Sequence, residues 1–506
     1  MTYGIGKRGI VLRPFRGRQE IESAAMRISP LRDDAGPDAL YSRFQETAAL
    51  AGDRFLVEEP ARDRRMTGDE LARSAAALSN CLREAGLCDG DAALLSGLEG
   101  ADFLIAALAV WKCGGAVIAA GARATRVEED RLASTFRPRV LVTRADGQAI
   151  HVRPGTPEGS GPPLPPATAL VKLTSGSTGL PRGIAVTAAQ QVADGAHIIE
   201  GMGLDPTDLN IGAIPLSHSY GMGSLVMPLI LAGIPLRLVD PAAPARLAEA
   251  LSGTESAVFP GVPYLFAMLG RVDGPALTRR GLKLCLSAGA PLSSSAAAAF
   301  RRRHGLPVRA FYGTSETGGI SFDATPAGDA AERYDGSVGS ALPGVTISVD
   351  ARDCRIVISS ASVASGYLGE ASPFAGGRFV TGDLGRFQDG PAGPELVLTG
   401  RVEGLLNVAG RKVNPREIEQ ALLEIAGIRE AAVIAEPDPA RGEAPIACLA
   451  ADGDVDAGSV MAHLRARLSD YKIPRRIVFL PALPRGERGK VDAEALRSRV
   501  SSGNIN

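Results

Sequence analysis

Ten residues constrain this chain more than any others. Thr174-Ser-Gly-Ser-Thr-Gly-Leu-Pro-Arg-Gly183 directly follows Ala169 to Leu173, an apolar run that reads as a strand. Hydroxyls, free backbone N–H groups and one cation converge in such a loop, which is what a polyphosphate needs. It is not a loop of the G-x-x-x-x-G-K-[ST] kind, because Arg182-Gly183 stands where Lys-Ser or Lys-Thr would be required. Alone it is only a turn between strands. Its meaning depends on the segments nearer the C-terminus.

Composition narrows the setting. A length of 506 residues predicts two to four domains at roughly 100–200 residues each. With 55 basic and 56 acidic residues the net charge is −1, so no global field steers the chain onto nucleic acid or an anionic membrane. Hydrophobic content of 45% and charged content of 22% are those of a globular protein. The 60 glycines and 35 prolines fall short of the roughly 25–30% of low-complexity chains, so the glycines have local jobs. Cys81, Cys88, Cys113, Cys285, Cys354 and Cys448 show no C-x-x-C spacing, which excludes a zinc ribbon and argues against a disulfide framework. Residues 1–35 carry Lys7, Arg8, Arg13, Arg16 and Arg18 with no apolar core behind them, and read as a basic arm rather than a secretory signal. The most apolar stretch, Gly223 to Val239, is broken by Pro228, Pro235 and Arg237, so no stable membrane insertion is expected. The expectation is a soluble, cytoplasmic protein with no nucleic-acid partner.

Along the chain, Phe103 to Trp111 is apolar nearly all round, as in a helix buried on several sides, and Val140-Leu-Val142 reads as a short strand. Pro154 to Pro166 holds six prolines and three glycines, a loop without regular structure. Strand and helix patterns alternate from Ala169 to about residue 330, and short strands such as Ile356-Val-Ile358 and Leu396-Val-Leu398 come next. After Gly400 the character changes. Asn414-Pro-Arg-Glu417 starts a helix whose apolar face is Ile418, Leu422 and Ile425 and whose end is Gly427. A strand Ala431 to Ala435, a helix Val460 to Leu468 and a strand Ile477 to Leu480 complete a small α+β domain.

The loop has seven companions in order: Pro215-Leu-Ser-His-Ser-Tyr-Gly221, Ser287-Ala-Gly-Ala-Pro-Leu292, Tyr312-Gly-Thr-Ser-Glu-Thr317, Thr381-Gly-Asp-Leu384, Gly400-Arg401, Gly410 to Glu419, and Pro484 to Lys490. Together, from about residue 40 to 497, they resemble the adenylate-forming superfamily of acyl-CoA synthetases, peptide-synthetase adenylation domains and luciferases, closest in pattern to the acyl-CoA synthetases. The resemblance implies an α/β large N-terminal domain over 36–402, built of two α/β subdomains and a small β-subdomain, and a mobile α+β C-terminal lid over 403–506. It also implies ATP, Mg²⁺ and coenzyme A as cofactors and a place in fatty acid metabolism.

By the same resemblance, Thr174, Ser175, Gly176, Ser177, Thr178, Gly179 and Arg182 hold the β- and γ-phosphates. Ser315 is implied to bind ATP, and Glu316 is the implied ligand of Mg²⁺. Asp383 accepts from the ribose hydroxyls, Tyr312 and Gly313 face adenine with Gly289 opposite, and Arg401 reaches ribose or phosphate. His218, Glu316 and Lys490 are the catalytic candidates. Tyr220, Gly221, Ala288, Gly318, Gly319 and Ile320 line the acyl pocket, Glu403 is the hinge, and Gly410 belongs to the thiol channel. Each role suits its side chain: a vicinal diol wants a bidentate anion, and magnesium a hard oxygen. Taken singly, Asp383 also reads as a turn residue, Tyr312 as a core aromatic, His218 as a loop histidine and Lys490 as a solvated cation.

The chain departs from the family pattern at Arg182, where Lys is usual, at Ser315, where Thr is usual, and at Glu403, Gly404 and Asn407. The segment Ser219 to Ser224 lacks the aspartate that pairs with an α-ammonium in peptide synthetases, and Gly313 stands where acetate-type enzymes carry Trp. The implied substrate is a medium- or long-chain fatty acid or an aryl acid, activated as an adenylate and passed to coenzyme A. Two alternatives share the same residues: a ligase that loads a separate acyl carrier protein, and a binding protein on a ligase scaffold.

Overall fold

The structure is a computed structural model that describes residues 11–12, 28–144, 149–156, 162–175, 181–252, 256–271, 276–277, 281–289, 292, 294–325, 337–370, 374–391, 393–401, 405–451, 453, 455–484, 491 and 493–501. The chain divides into two compact units, one of residues 1–122, 136–173 and 183–403 and one of residues 123–135, 174–182 and 404–506.

The first unit is organised around a helix, Gly100–Lys112, in which every side chain from Ala101 to Trp111 is buried. Its near-uniform apolar sequence is the expected reason. Trp111 Nε1 donates to the Ala169 carbonyl at 2.8 Å, fastening this helix to the strand Thr168–Ser175 that leads into the loop. That strand belongs to a seven-stranded sheet in the order Gly366–Tyr367, Pro181–Thr187, Thr168–Ser175, Ala116–Ala119, Ala92–Ser96, Val140–Thr143, His151–Pro154. Its central neighbours run parallel. A nine-stranded sheet contains the parallel run Leu209–Gly212, Ala257–Gly261, Leu282–Ser287, Arg309–Thr314, with Gly318–Phe322 antiparallel to the last. In open sheets of this kind ligands sit outside the carboxyl ends of strands. Thr174, Ala288 and Ser315 all stand at such ends.

Helix Ala188–Met202 packs beside this region. Thr187 and Gln190 close its start as a reciprocal capping box, and Gly203 at φ +61° ends it. A third, five-stranded sheet ends in the antiparallel pair Arg378–Gly390 and Gly393–Arg401, which sets Asp383 opposite Arg401. The apolar stretch after Gly221 becomes a π-helical turn, Met222–Val226, and a short helix, Met227–Ala232, with Pro228 in its first turn. Among the described residues no helix is long and apolar enough to cross a membrane.

The second unit holds the strands Arg411–Val413, Leu406–Val408, Gly442–Ala451 and Ile428–Asp438, with Arg476–Phe479 parallel to Gly442–Ala451. The helix expected to reach Gly427 is Pro415–Leu423. It stops early because the backbone turns twice, Ile425 N–H to Leu422 O and Ile428 N–H to Ile425 O, before Gly427 at φ +92° releases the chain into the strand. The next helix is Ala457–Arg465, not Val460 to Leu468; Asp456 caps its start by accepting from Ser459 N–H at 2.9 Å. Glu417, in the first turn of Pro415–Leu423, is buried. It pairs with Lys472 at 2.8 Å, and Lys472 also reaches Glu128 at 3.0 Å on helix Arg126–Phe136. Ser469 donates to Glu128 through its backbone N–H at 3.1 Å and its hydroxyl at 2.7 Å. Burial opposes the Glu128 carboxylate, yet Lys472, Ser469 and Thr125 outweigh it and hold its pKa below the usual range.

Candidate active site

The centre of the candidate site in the first unit is a contact between two strands distant in sequence. Tyr312, on Arg309–Thr314, donates its hydroxyl to Asp383 Oδ2 at 2.8 Å, and both are buried, at 8% and 6% exposure. The Asp383 N–H in turn donates to Thr381 Oγ1 at 3.1 Å, and Thr381 donates to the Asp383 carbonyl, which makes the Thr-Gly-Asp turn rigid. A carboxylate held in this way, with an aromatic ring beside it, can receive a diol and a flat base.

Glu316 lies on the turn after Tyr312. Its Oε1 accepts the Tyr367 hydroxyl at 2.9 Å, and its carbonyl accepts Ala364 N–H at 2.8 Å. Ser315 is reached by the Ser219 hydroxyl at 3.0 Å, so the segment containing His218 meets the segment containing Glu316. Among the described residues no three His, Cys, Asp or Glu side chains cluster as a metal cage. One carboxylate fits Mg²⁺ only if nucleotide phosphates supply the other oxygens, which is how this ion is usually held.

Several residues expected to line an acyl pocket also lie together. Tyr220 is half-buried, donates to Leu286 O at 3.3 Å and lies against Phe311 with ring centroids 5.7 Å apart. Ala288 is buried, and Ile320 is fully buried in the same apolar cluster. The glycines have another explanation than open space. A Cβ on Gly221 would lie 2.1 Å from Pro215 O, on Gly313 2.6 Å from Gly318 O, and on Gly319 3.0 Å from Leu342 and Phe311 side-chain atoms. Gly318, at φ +72°, meets the Asp194 carboxylate, 2.3 Å from its Cβ position. Protein atoms already occupy these directions.

Asp194 and Lys172 are residues that motif reading missed. Asp194 lies on Ala188–Met202, is 2% exposed and accepts Gly319 N–H at 2.8 Å. It also lies 3.1 Å from the Cβ position of Gly223, so a carboxylate does approach the segment Ser219 to Ser224, though from another element. Lys172 is 5% exposed, and burial depresses its pKa against the attraction of Asp194 and Glu316. The available signal was an ammonium inside an apolar strand.

Thr174 and Arg182 are half-buried and flank the loop, and Gly410, at φ +81°, turns the chain between Leu406–Val408 and Arg411–Val413. Gly289 comes after strand Leu282–Ser287 at φ +84°. Gly176, Ser177, Thr178, Gly179, Glu403, Gly404 and Lys490 lie outside the described residues, as do the side chains of Ser175 and Arg401.

A buried Tyr–Asp pair and a lone carboxylate near the carboxyl ends of parallel strands are groups that suit a nucleotide and its metal. The sequence matches the AMP-binding enzyme family over residues 44–368 and the AMP-binding enzyme C-terminal domain over residues 417–490. It is 32% identical over 379 residues, 70% of this chain and 72% of the relative, to a sulfoacetate–CoA ligase of Cupriavidus necator. A 2-succinylbenzoate–CoA ligase of Enterococcus faecalis is 29% identical, covering 64% and 68%. The amide bond synthetase McbA of Marinactinospora thermotolerans superposes with a TM-score of 0.76 at 25% identity, covering 90% of this chain and 99% of that one. The chain belongs to the AMP-binding enzymes and is an AMP-forming acid–CoA ligase of the adenylate-forming superfamily. ATP and coenzyme A are the cofactors of this class.

Proposed function

We propose that the protein activates a compact aryl carboxylic acid as its adenylate and transfers the acyl group to coenzyme A. The observation that carries this reading is that Tyr312, which donates to Asp383, belongs to the same apolar cluster as the aromatic pair Tyr220 and Phe311. A flat acid matches those ring faces. Because protein atoms fill the directions in front of Gly221, Gly313, Gly318 and Gly319, the glycines do not support a long acyl channel. The acids named for the two relatives, sulfoacetate and 2-succinylbenzoate, are compact too.

In this reading the loop from Thr174 to Arg182 holds the outer phosphates, and Glu316 would hold Mg²⁺ against them. The metal supplies charge neutralisation during pyrophosphate departure. His218 and Lys490 act at the carboxylate, Gly289 and Arg401 at the nucleoside, Glu403 as hinge, and Gly410 at the thiol entrance. The setting is the cytoplasm. Substrate-dependent ATP–pyrophosphate exchange with benzoate, phenylacetate, 4-coumarate, octanoate, palmitate and acetate tests the acid. The highest kcat/KM is expected for an aryl acid. A maximum at palmitate or acetate refutes the aryl assignment, and no exchange with any of the six places the substrate outside this panel. Thioester assays with coenzyme A and with a phosphopantetheinylated carrier separate the two acceptors.

A further inference from the structure

The hairpin that carries Gly410 depends on groups outside it. Leu406–Val408 and Arg411–Val413 pair with Val408 opposite Arg411, so the loop is Ala409 and Gly410, both left-handed at φ +51° and +81°. That conformation suits a tight hairpin, but alanine adopts it reluctantly. The Ala409 N–H donates to Arg441 O at 2.7 Å, and two further anchors follow the turn. The Arg411 guanidinium lies over the Tyr471 ring, 4.4 Å from its centroid. Glu417, on the helix that the hairpin leads into, pairs with Lys472 at 2.8 Å, and Arg131 stands 3.9 Å from the same carboxylate. Tyr471 and Lys472 are neighbours on the short turn Asp470–Lys472. Lys472 is held in turn by Glu128 at 3.0 Å, whose carboxylate oxygens also accept from Ser469. Glu128 and Glu417 are each 8% exposed, so this is a buried cluster rather than a surface ion pair. All of these residues belong to the second unit.

We propose that Tyr471 and Lys472 are positioning residues for the Gly410 turn and, through it, for coenzyme A. Tyr471 holds the strand that leaves the turn by way of Arg411, and Lys472 holds the helix beyond it by way of Glu417. The proposal rests on the reading that this turn stands at the thiol entrance. Its effect is selective. Loosening the turn shifts backbone that meets coenzyme A, whereas the Tyr312 and Asp383 pair proposed for ATP belongs to the first unit and shares no residue with the cluster. A cluster that served stability alone would, when broken, weaken both ligands alike.

The test is calorimetric binding of coenzyme A in the presence of AMP, and of ATP with Mg²⁺, to the wild-type protein and to Lys472→Met, Lys472→Arg, Tyr471→Leu, Tyr471→Phe and Gly410→Val. No acid is needed, so the outcome does not depend on which acid is the substrate. The dissociation constant of coenzyme A is expected to rise roughly tenfold in Lys472→Met and Tyr471→Leu, the scale of one lost charge-assisted contact, with that of ATP unchanged. Lys472→Arg keeps the charge and Tyr471→Phe keeps the ring face under Arg411, so both should recover most of the affinity. If Lys472→Met fails to fold because it leaves two buried carboxylates without their cation, Tyr471→Leu, which keeps every charge, decides the point. Equal weakening of both ligands overturns the proposal, as does coenzyme A binding that falls in Gly410→Val but not in Lys472→Met or Tyr471→Leu. Coenzyme A binding unmoved in Gly410→Val, or absent from the wild type, refutes instead the thiol-entrance reading on which the proposal rests.

Discussion

Asp383 is proposed to receive the ribose diol, and its environment makes a quantitative expectation possible. Its Oδ2 already accepts from Tyr312, so the ribose diol joins a carboxylate whose position is fixed in advance. Replacing Asp383 with Ala removes charge-assisted hydrogen bonds worth about 1.5–3 kcal/mol each, so kcat/KM for ATP should fall by roughly tenfold to a hundredfold while far-UV circular dichroism is unchanged. Tyr312→Phe keeps the ring and loses one hydroxyl, and should cost about 1 kcal/mol, roughly fivefold. Steady-state kinetics with ATP varied measures both, and wild-type values in Asp383→Ala would remove that residue from the site. The motifs single out Asp383, Tyr312 and Glu316 because each stands within three residues of a motif glycine, Gly382 or Gly313. They do not reveal Tyr367 or Asp194, whose partners Glu316 and Gly319 lie 51 and 125 positions away, nor the burial of Lys172, and they quote Ser219 without its partner Ser315, 96 positions away. A polar residue in an amphipathic helix looks solvated until the fold supplies the surface that covers it.

At the level of elements, the turn from Thr314 to Gly319 shows how a strand pair shapes chemistry. Gly318 has φ +72° and faces the Asp194 carboxylate at a distance no Cβ can occupy, whereas Gly203 has φ +61° with nothing within 4 Å of its Cβ position. Both should lose stability as Ala because of the left-handed backbone, by about 1 kcal/mol at Gly203. At Gly318 the added clash should raise the cost to about 2–4 kcal/mol. Denaturant melts of the two variants measure the difference, and equal midpoints would show that Asp194 simply moves aside. The buried helix Gly100–Lys112 and the strand before the loop are readable because their apolar runs have one interpretation in an α/β chain. Strand Gly442–Ala451 is not. Pro445 and its alanines carry weak strand propensity, and the strand exists because ten register partners on Ile428–Asp438 hold it, Pro445 facing Ala435 among them.

On the scale of the whole molecule, the second unit gathers chain from three places, and one buried ion cluster ties two of them. Burial works against the Lys472 ammonium, but Tyr471, Glu417 and Glu128 raise its pKa above the usual lysine value, while that of Glu128 is depressed. The raised lysine contributes stability that is present below its unfolded pKa and lost only as pH climbs through the folded value. The depressed carboxylate contributes stability present above its unfolded pKa and lost as pH falls through the folded one. Glu128→Gln should therefore lower the melting temperature throughout about pH 5–9 and converge on wild type only in acid, as pH falls through the depressed Glu128 value. A melting difference that persists unchanged at low pH would assign the effect to packing. Lys490, at the end of the Pro484 to Lys490 motif, is legible only through a resemblance. If it bridges the substrate carboxylate and the α-phosphate, its charge matters only while those anions meet. Lys490→Ala should then reduce adenylate formation about 10²–10³-fold, the cost of losing one preorganised electrostatic contact. Thioester formation from supplied acyl adenylate should survive, because a lid that turns about Glu403 carries Lys490 away before the thiol arrives. Quench-flow measurement of the two half-reactions separates the cases: loss confined to the first supports the alternating lid, equal loss in both refutes alternation, and no loss in either returns Lys490 to the surface.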